Sequence, residues 1–167
     1  MLAACAGPAP PPAPAPAGAS WRVGRLDCVP FARRITGVAL SGDSDSWWRS
    51  AAGRYGESRR PAEGALLVFR RTRHLPRGHV AVVSRVLTTR QILVTHANWV
   101  HGEVSLDQPV EDVSAANDWS AVRVWWPPLG RLGETVFATY GFILPDPAPT
   151  RAAILARAPG AAAAVRE

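Results

Sequence analysis

Gly78-His79-Val80-Ala81-Val82-Val83 is a short, β-branched, apolar run, and it reads as a buried strand with a histidine at its mouth. Further on, Gln91-Ile92-Leu93-Val94-Thr95-His96-Ala97-Asn98-Trp99 reads as a second strand. It places Ile92, Val94 and His96 on one face and Leu93, Thr95 and Ala97 on the other. Thr88-Thr89-Arg90 supplies a hairpin connection. If residues 79–87 and 91–97 pair antiparallel, the end of the second strand lies beside the start of the first. His96 and Asn98 then come close to His79.

The rest of the chain is organised around that hairpin. Strands are predicted at 65–70, 120–126 and 136–143, which gives an antiparallel sheet of at least five strands. The stretch Ser120–Trp126 alternates, with Ala121, Arg123 and Trp125 on one face and Val122, Val124 and Trp126 on the other. Asp27-Cys28-Val29-Pro30-Phe31 opens a helix predicted from 28 to about 38. Its Cys28, Ala32, Ile35 and Ala39 recur at helical spacing and face the sheet. Gly37 and Gly42 break that pattern, and Ser44-Asp45 can cap a second short helix carrying Trp47, Trp48 and Ala51. The fold class is α+β. Residues 1–20 read as a signal remnant and Pro/Ala-rich tether, 21–144 as one catalytic domain, and 145–167 as a Pro/Ala-rich tail with at most a short helix around 150–157 and fraying ends.

Cys28 sits at the first turn of its helix, where unpaired N–H groups and the positive dipole end favour a thiolate. Its pKa is expected to fall from about 8.5 into the range of roughly 3.5 to 7.5. The competing reading is a buried structural cysteine, since free cysteine packs as a small hydrophobe. A nucleophilic cysteine needs a base, and His79, held at a rigid strand end, is the candidate. His96 or Asn98 would hold the imidazole in a useful tautomer. Asn98 is preferred, because its amide oxygen accepts an imidazole N–H without competing for protons.

Taken together, Asp-Cys-x-x-Phe-Ala at 27–32, Gly-Asp-Ser at 42–44 with Trp47-Trp48, and Pro61-x-x-Gly64 before Leu67-Val68-Phe69 resemble a CHAP domain. Gly78-His79-Val80-Ala81-Val82-Val83 and Val94-Thr95-His96-Ala97-Asn98-Trp99 complete the likeness, which spans about residues 20–126. CHAP domains are cysteine- and histidine-dependent amidohydrolases or peptidases, relatives of the NlpC/P60 and papain-like enzymes. The resemblance implies a papain-like fold, with an N-terminal nucleophile helix packed on the antiparallel sheet, and cleavage of amide bonds in bacterial peptidoglycan. It places the family's nucleophile on Cys28, its base on His79 and its third polar residue on His96 or Asn98. Many members have an acidic residue where this chain has His96.

The 19 basic residues are all arginine, against 13 acidic ones, for a net charge of +6. That charge fits an anionic partner such as cell wall, and it equally fits the base composition of a GC-rich genome. Nucleic-acid binding is not expected, because beyond Arg59-Arg60 and Arg70-Arg71-x-Arg73 the arginines are scattered with no one-sided basic face. No metal or cofactor is expected. Asp43-Ser44-Asp45 begins like a calcium loop, but Trp48 stands where the loop needs glycine and Arg54 where it needs an acidic ligand. The four histidines and two cysteines form no zinc spacing.

Leu2-Ala3-Ala4-Cys5 matches the end of a bacterial lipoprotein signal, so Cys5 is a candidate lipid attachment point. An accidental match in an alanine-rich segment is the other reading. With the tether that follows, it suggests an enzyme of the cell envelope, periplasmic, outer-membrane-anchored or secreted; the residues do not give an oligomeric state, and a monomer is expected. No segment has the roughly 18 consecutive apolar residues of a membrane-spanning helix.

The expected chemistry is covalent amide hydrolysis, by an N-acetylmuramoyl-L-alanine amidase or by an endopeptidase of the stem or cross-bridge. The Cys28 backbone N–H is one oxyanion donor, with Arg22 or Arg25 as a candidate second. Trp47, Trp48 and Trp99 are candidates for the substrate groove, with core packing the alternative for Trp47 and Trp48. Trp99 would shield an Asn98–His79 hydrogen bond from water. Two other functions stay open: an amidase or acyl transferase acting on a small thiol-peptide or polyamine conjugate, and a catalytically silent wall-binding module.

Overall fold

The run from His79 to Ser84 is buried at every position because it lies between two apolar layers. The computed structural model describes residues 18–160. In chain order the elements are β1 (Ser20–Arg22), α1 (Cys28–Thr36), α2 (Trp47–Ala51), β2 (Gly56–Ser58), β3 (Leu66–Phe69), β4 (His79–Val86) and β5 (Gln91–Ala97). They continue with β6 (Glu103–Asp112), β7 (Ala121–Trp126), β8 (Arg131–Leu132), β9 (Phe137–Leu144) and α3 (Arg151–Arg157).

Every strand pairing is antiparallel, in the order β1-β6-β5-β4-β3-β9-β7-β8, with β2 on β9. Because β6 also pairs β7, strands β3, β4, β5, β6, β7 and β9 close into a ring. Closure removes the free edges of those six strands. The period-2 alternation of strands then sorts side chains into two cores. Leu67, Phe69, Ala81, Val83, Ile92, Val94, Val122 and Val124 fill one, with Trp119 and Phe142. Leu66, Val68, Val80, Val82 and Ile143 point to the other side and meet Phe31, Ala32 and Ile35 of α1. The fold is α+β, with α1, which opens on Cys28, packed on an antiparallel sheet closed into a barrel, consistent with a papain-like CHAP fold.

Helix α1 starts after Asp27, whose backbone is extended, and stops at Thr36, because Gly37 takes the left-handed conformation (φ 76°) and donates its N–H to the Arg33 carbonyl at 2.8 Å. It is therefore two residues shorter than the predicted helix, and Ala39 lies outside it, exposed. Pro30 is tolerated in the first turn, where its missing N–H has no intrahelical acceptor to lose.

Part of the segment after Leu144 differs from the fraying tail expected there. Ile154 of α3 is fully buried beside α1, and that burial contributes roughly 2 kcal/mol. Arg157 donates to the Ile35 carbonyl at 2.7 Å, and the Trp21 indole donates to the Pro159 carbonyl at 2.9 Å. Among the described residues no helix is long and apolar enough to cross a membrane. Cys5 and most of the proposed tether lie outside the described residues.

Candidate active site

Three segments converge at the N-terminal end of α1: the helix start itself, the Asp43-Ser44-Asp45 turn, and the loop that enters β4. Gly78 makes their approach close. It adopts φ +72°, and a Cβ there would stand 2.7 Å from the Asp45 backbone nitrogen and 2.9 Å from the Phe69 carbonyl oxygen. Gly78→Ala is therefore expected to displace His79 and destabilise the fold by about 1–3 kcal/mol, measured as a lower urea midpoint. An unchanged midpoint would show that the turn adapts freely.

Cys28, at the first position of α1, lines a cavity of about 350 Å³ with Asp27, Ser44, Arg77, His79 and Asn98. The structure thus brings Cys28, His79 and Asn98 to one chamber. Burial raises the Cys28 thiol above its ordinary pKa, and the neighbouring Asp27 carboxylate pushes the same way. Hydrogen bonding from the Val80 backbone, the Ser44 side chain and the Val29 backbone opposes that rise without overcoming it. The resting group is a thiol, where the helix-dipole argument alone predicts a thiolate. Burial is what that argument leaves out, because desolvation disfavours the charged form.

His79 is 3% exposed, and its Nε2 lies 3.1 Å from Nδ1 of the fully buried His96. Burial lowers the His79 pKa to about 3. It also lowers His96 well below the usual range, with His79 adding to the effect. Both rings are neutral at ordinary pH, so a single proton lies between Nε2 and Nδ1. With that proton on His79 Nε2, the Nδ1 lone pair is the basic site left to His79. His96 Nε2 is then an N–H with no partner among the described residues.

With thiol and imidazole both uncharged, alkylation of Cys28 by iodoacetamide is expected to rise with pH through a raised pKa. The rate at pH 6 should lie far below its alkaline plateau. A second plateau at acidic pH, the mark of a thiolate–imidazolium pair, would contradict the neutral pair.

Asn98 does not meet His79 through its amide. Its Nδ2 donates to Asp27 Oδ1 at 2.8 Å, and its Oδ1 accepts the Gly102 N–H at 2.9 Å. The left-handed backbone at Asn98 (φ 62°) turns the side chain out of the strand direction toward the start of α1. Of the two predicted partners for His79, His96 is the one in hydrogen-bonding contact, and Asn98 ties the start of α1 to the end of β5.

The tryptophans separate in the same way. Trp47 is wholly buried in the core under α1, and Trp48 stacks on Tyr140 with centroids 6.0 Å apart and planes at 11°. Neither lines the Cys28 cavity, so packing accounts for both. Trp99 lies against both histidines, with centroids 5.0 Å from His79 and 5.6 Å from His96, the latter nearly parallel at 19°. It covers the His79–His96 contact, in place of the Asn98–His79 bond predicted for it. Arg22, in β1, lies opposite Glu103 of β6 in the strand register and, like Arg25, is absent from the cavity wall.

Ser44 was not among the residues predicted for the site. It is 2% exposed, lies against the sulfur and donates to the Arg77 carbonyl at 3.0 Å. Its signal was the Asp-Ser-Asp turn, where a small hydroxyl sits between two carboxylates that pair outward with Arg71 and Arg77. Among the described residues no group of three or more His, Cys, Asp or Glu side chains is placed to hold a metal ion.

A family model described as CHAP domain matches residues 18–98. No curated protein matches the chain.

Proposed function

With residues 18–98 belonging to the CHAP domain family, we propose that this chain hydrolyses amide bonds of peptidoglycan through a thioester on Cys28. CHAP domains are typically cysteine- and histidine-dependent amidases acting on peptidoglycan. The observation that carries the reading is that Cys28 and His79 line one cavity, with His79 Nε2 engaged by His96.

In the proposed reaction His79 Nδ1 takes the Cys28 proton as Sγ adds to the amide carbonyl carbon. The oxyanion is met by the Cys28 backbone N–H, one of the unpaired amides of the helix start. The C–N bond then breaks, and His79 returns its proton to the departing nitrogen, which leaves as an amine. Water, losing a proton to the same histidine, cleaves the thioester to a carboxylic acid and restores the thiol. His96 Nδ1 accepts the His79 Nε2–H throughout and fixes the tautomer. It can do so only as a neutral dipole, so it stabilises the imidazolium less than a carboxylate would.

The test is mass spectrometry of soluble material released from purified sacculi by the wild type and by Cys28→Ala. Sugar-free peptides or split cross-links seen only with the wild type support the reading. No cysteine-dependent product would overturn it in favour of a small-substrate amidase or a binding module.

A further inference from the structure

Ser44 is the buried hydroxyl of the Cys28 chamber, and its neighbours in the chain fix it from both sides. Asp43 pairs outward with Arg71 at 3.2 Å and with Arg77 at 2.7 Å. Asp45 donates its backbone N–H to the Arg77 carbonyl at 3.2 Å, and its carboxylate accepts the Arg71 backbone N–H at 2.6 Å. Between these two anchors Ser44, 2% exposed, forms part of the wall that it shares with Cys28.

A serine hydroxyl has one proton to donate. In the resting protein that proton goes to the Arg77 carbonyl at 3.0 Å. The same carbonyl also accepts the Asp45 N–H, so it keeps a partner when the hydroxyl turns away. Turning therefore leaves no buried acceptor orphaned, which is the usual obstacle to moving a buried hydroxyl. The second acceptor within reach is the sulfur, and a hydrogen bond from Ser44 favours its ionised form.

The remaining polar and titratable groups of the chamber are engaged otherwise. The Asp27 and Asp43 carboxylates have nothing to donate, and Asp27 opposes a negative sulfur. The Asn98 amide donates to Asp27. Arg77, 74% exposed, turns its Nε to Asp43, and His74 accepts from Arg73. His79 is the group that takes the proton in the proposed reaction.

We propose that Ser44 is a catalytic residue of this site: as His79 removes the Cys28 proton, the Ser44 hydroxyl swings from the Arg77 carbonyl to Sγ and donates to the thiolate. Its part in hydrolysis rests on the reading above. The hydroxyl proton stays on its oxygen throughout. Once Sγ has bonded to the carbonyl carbon the sulfur is neutral, and the hydroxyl returns to Arg77. A hydrogen bond to a charged acceptor is about twice as strong as one between neutral groups, so the swing favours the ionised sulfur, whose formation burial opposes.

The experiment is the pH profile of Cys28 alkylation by iodoacetamide, read by mass spectrometry of the Cys28 peptide in the full chain and in its Ser44→Ala and Ser44→Thr variants. It reports the thiolate and needs no hydrolysis. Ser44→Ala is expected to raise the midpoint by about one pH unit, a tenfold loss of thiolate at any pH well below it. Ser44→Thr, which keeps the hydroxyl, is expected to stay near the wild type. A merely structural role for Ser44 gives the opposite sign, because a loosened wall hydrates the sulfur and lowers the midpoint. Should Ser44→Ala fail to fold, proton NMR of the wild type takes its place, with the Ser44 hydroxyl signal expected to move downfield at the midpoint of the thiol. An unchanged or lowered midpoint in Ser44→Ala, a Ser44→Thr midpoint as high as that of Ser44→Ala, or a hydroxyl signal indifferent to ionisation of the thiol would each overturn the proposal. The expected midpoints in a protein that releases nothing from sacculi would support the Ser44–thiolate contact while removing the hydrolase reading.

Discussion

His79→Ala is expected to lower kcat for release of peptide from sacculi by about 10³-fold, with KM changed little. The cause lies in the resting charges. Because Cys28 is held as a thiol by burial, attack requires a base in the same chamber, and His79 is the histidine that its Nε2 contact with His96 orients there. His96→Ala is expected to cost less, about 10- to 100-fold, because the base survives but loses the group that fixes its tautomer. His96→Asn, which can still accept the Nε2 proton, should recover part of that loss. If His79→Ala stays within tenfold of the wild type, His79 is not the base. In that case the His79–His96 contact serves the fold alone.

The second large effect is on stability in acid. Unfolded histidine titrates near 6.5, whereas burial lowers His79 to about 3, with His96 also lowered. Between those values the unfolded chain binds protons that the folded chain refuses, so folding is penalised as pH falls. The stability associated with the neutral pair is fully present above about pH 6.5 and is lost progressively as the pH drops toward 3. For His79 alone the loss is at most roughly 5 kcal/mol, a large share of the 5–15 kcal/mol that holds a domain together. Urea unfolding of the wild type at pH 7 and pH 4 should show the midpoint falling sharply, and a double variant replacing both histidines with glutamine should show a much smaller fall. Equal wild-type midpoints at the two pH values would mean that the rings are solvated or already charged.

The parts of this molecule that the sequence made legible are those set by local pattern. The β-branched run after His79 and the alternation around Val94 give β4 and β5 with their antiparallel pairing, because burial on both faces leaves few other ways to place such residues. The Asp-Cys-x-Pro start and Gly37 delimit α1 in the same direct way. The ring closure was not legible, because its key strand β6 carries Asp107 and Pro109 and breaks alternation where the pairing with β5 shifts register between Val94 and His96. Asp107 there takes φ 48° and accepts the Ser84 hydroxyl at 2.6 Å. Such a bulge has no sequence signature that distinguishes it from a loop.

The site divides along the same line. Cys28 and His79 were proposed from where they sit on regular elements, and the structure places both on one cavity. The choice between His96 and Asn98 depends on a single left-handed residue, which turns the Asn98 amide toward Asp27 and Gly102. Side-chain chemistry favours Asn98 as the acceptor, whereas backbone geometry puts His96 in contact with His79. The pKa direction of Cys28 was missed for a related reason. Helix position is readable from residues 27–31, but the burial that outweighs it depends on packing against a core that includes Val80 and Val82 of β4, about 50 residues away in sequence. The cavity of about 530 Å³ beside the Cys28 chamber draws Trp126 from the end of β7, Phe137 from β9 and Leu129 from the turn after β7, and the strand alternation that places Trp126 beside Val124 gave no hint of an unfilled space.

The central claim is a covalent intermediate on Cys28, and the most direct measurement is intact-protein and peptide mass spectrometry after acid quench of the wild type with a disaccharide-peptide substrate. The expected result is an acyl adduct on the peptide containing Cys28, carrying the mass of the acyl part of the substrate, absent in Cys28→Ala and lost on return to neutral pH. Product release with no adduct at any quench time, together with undiminished product from Cys28→Ala, would contradict the account.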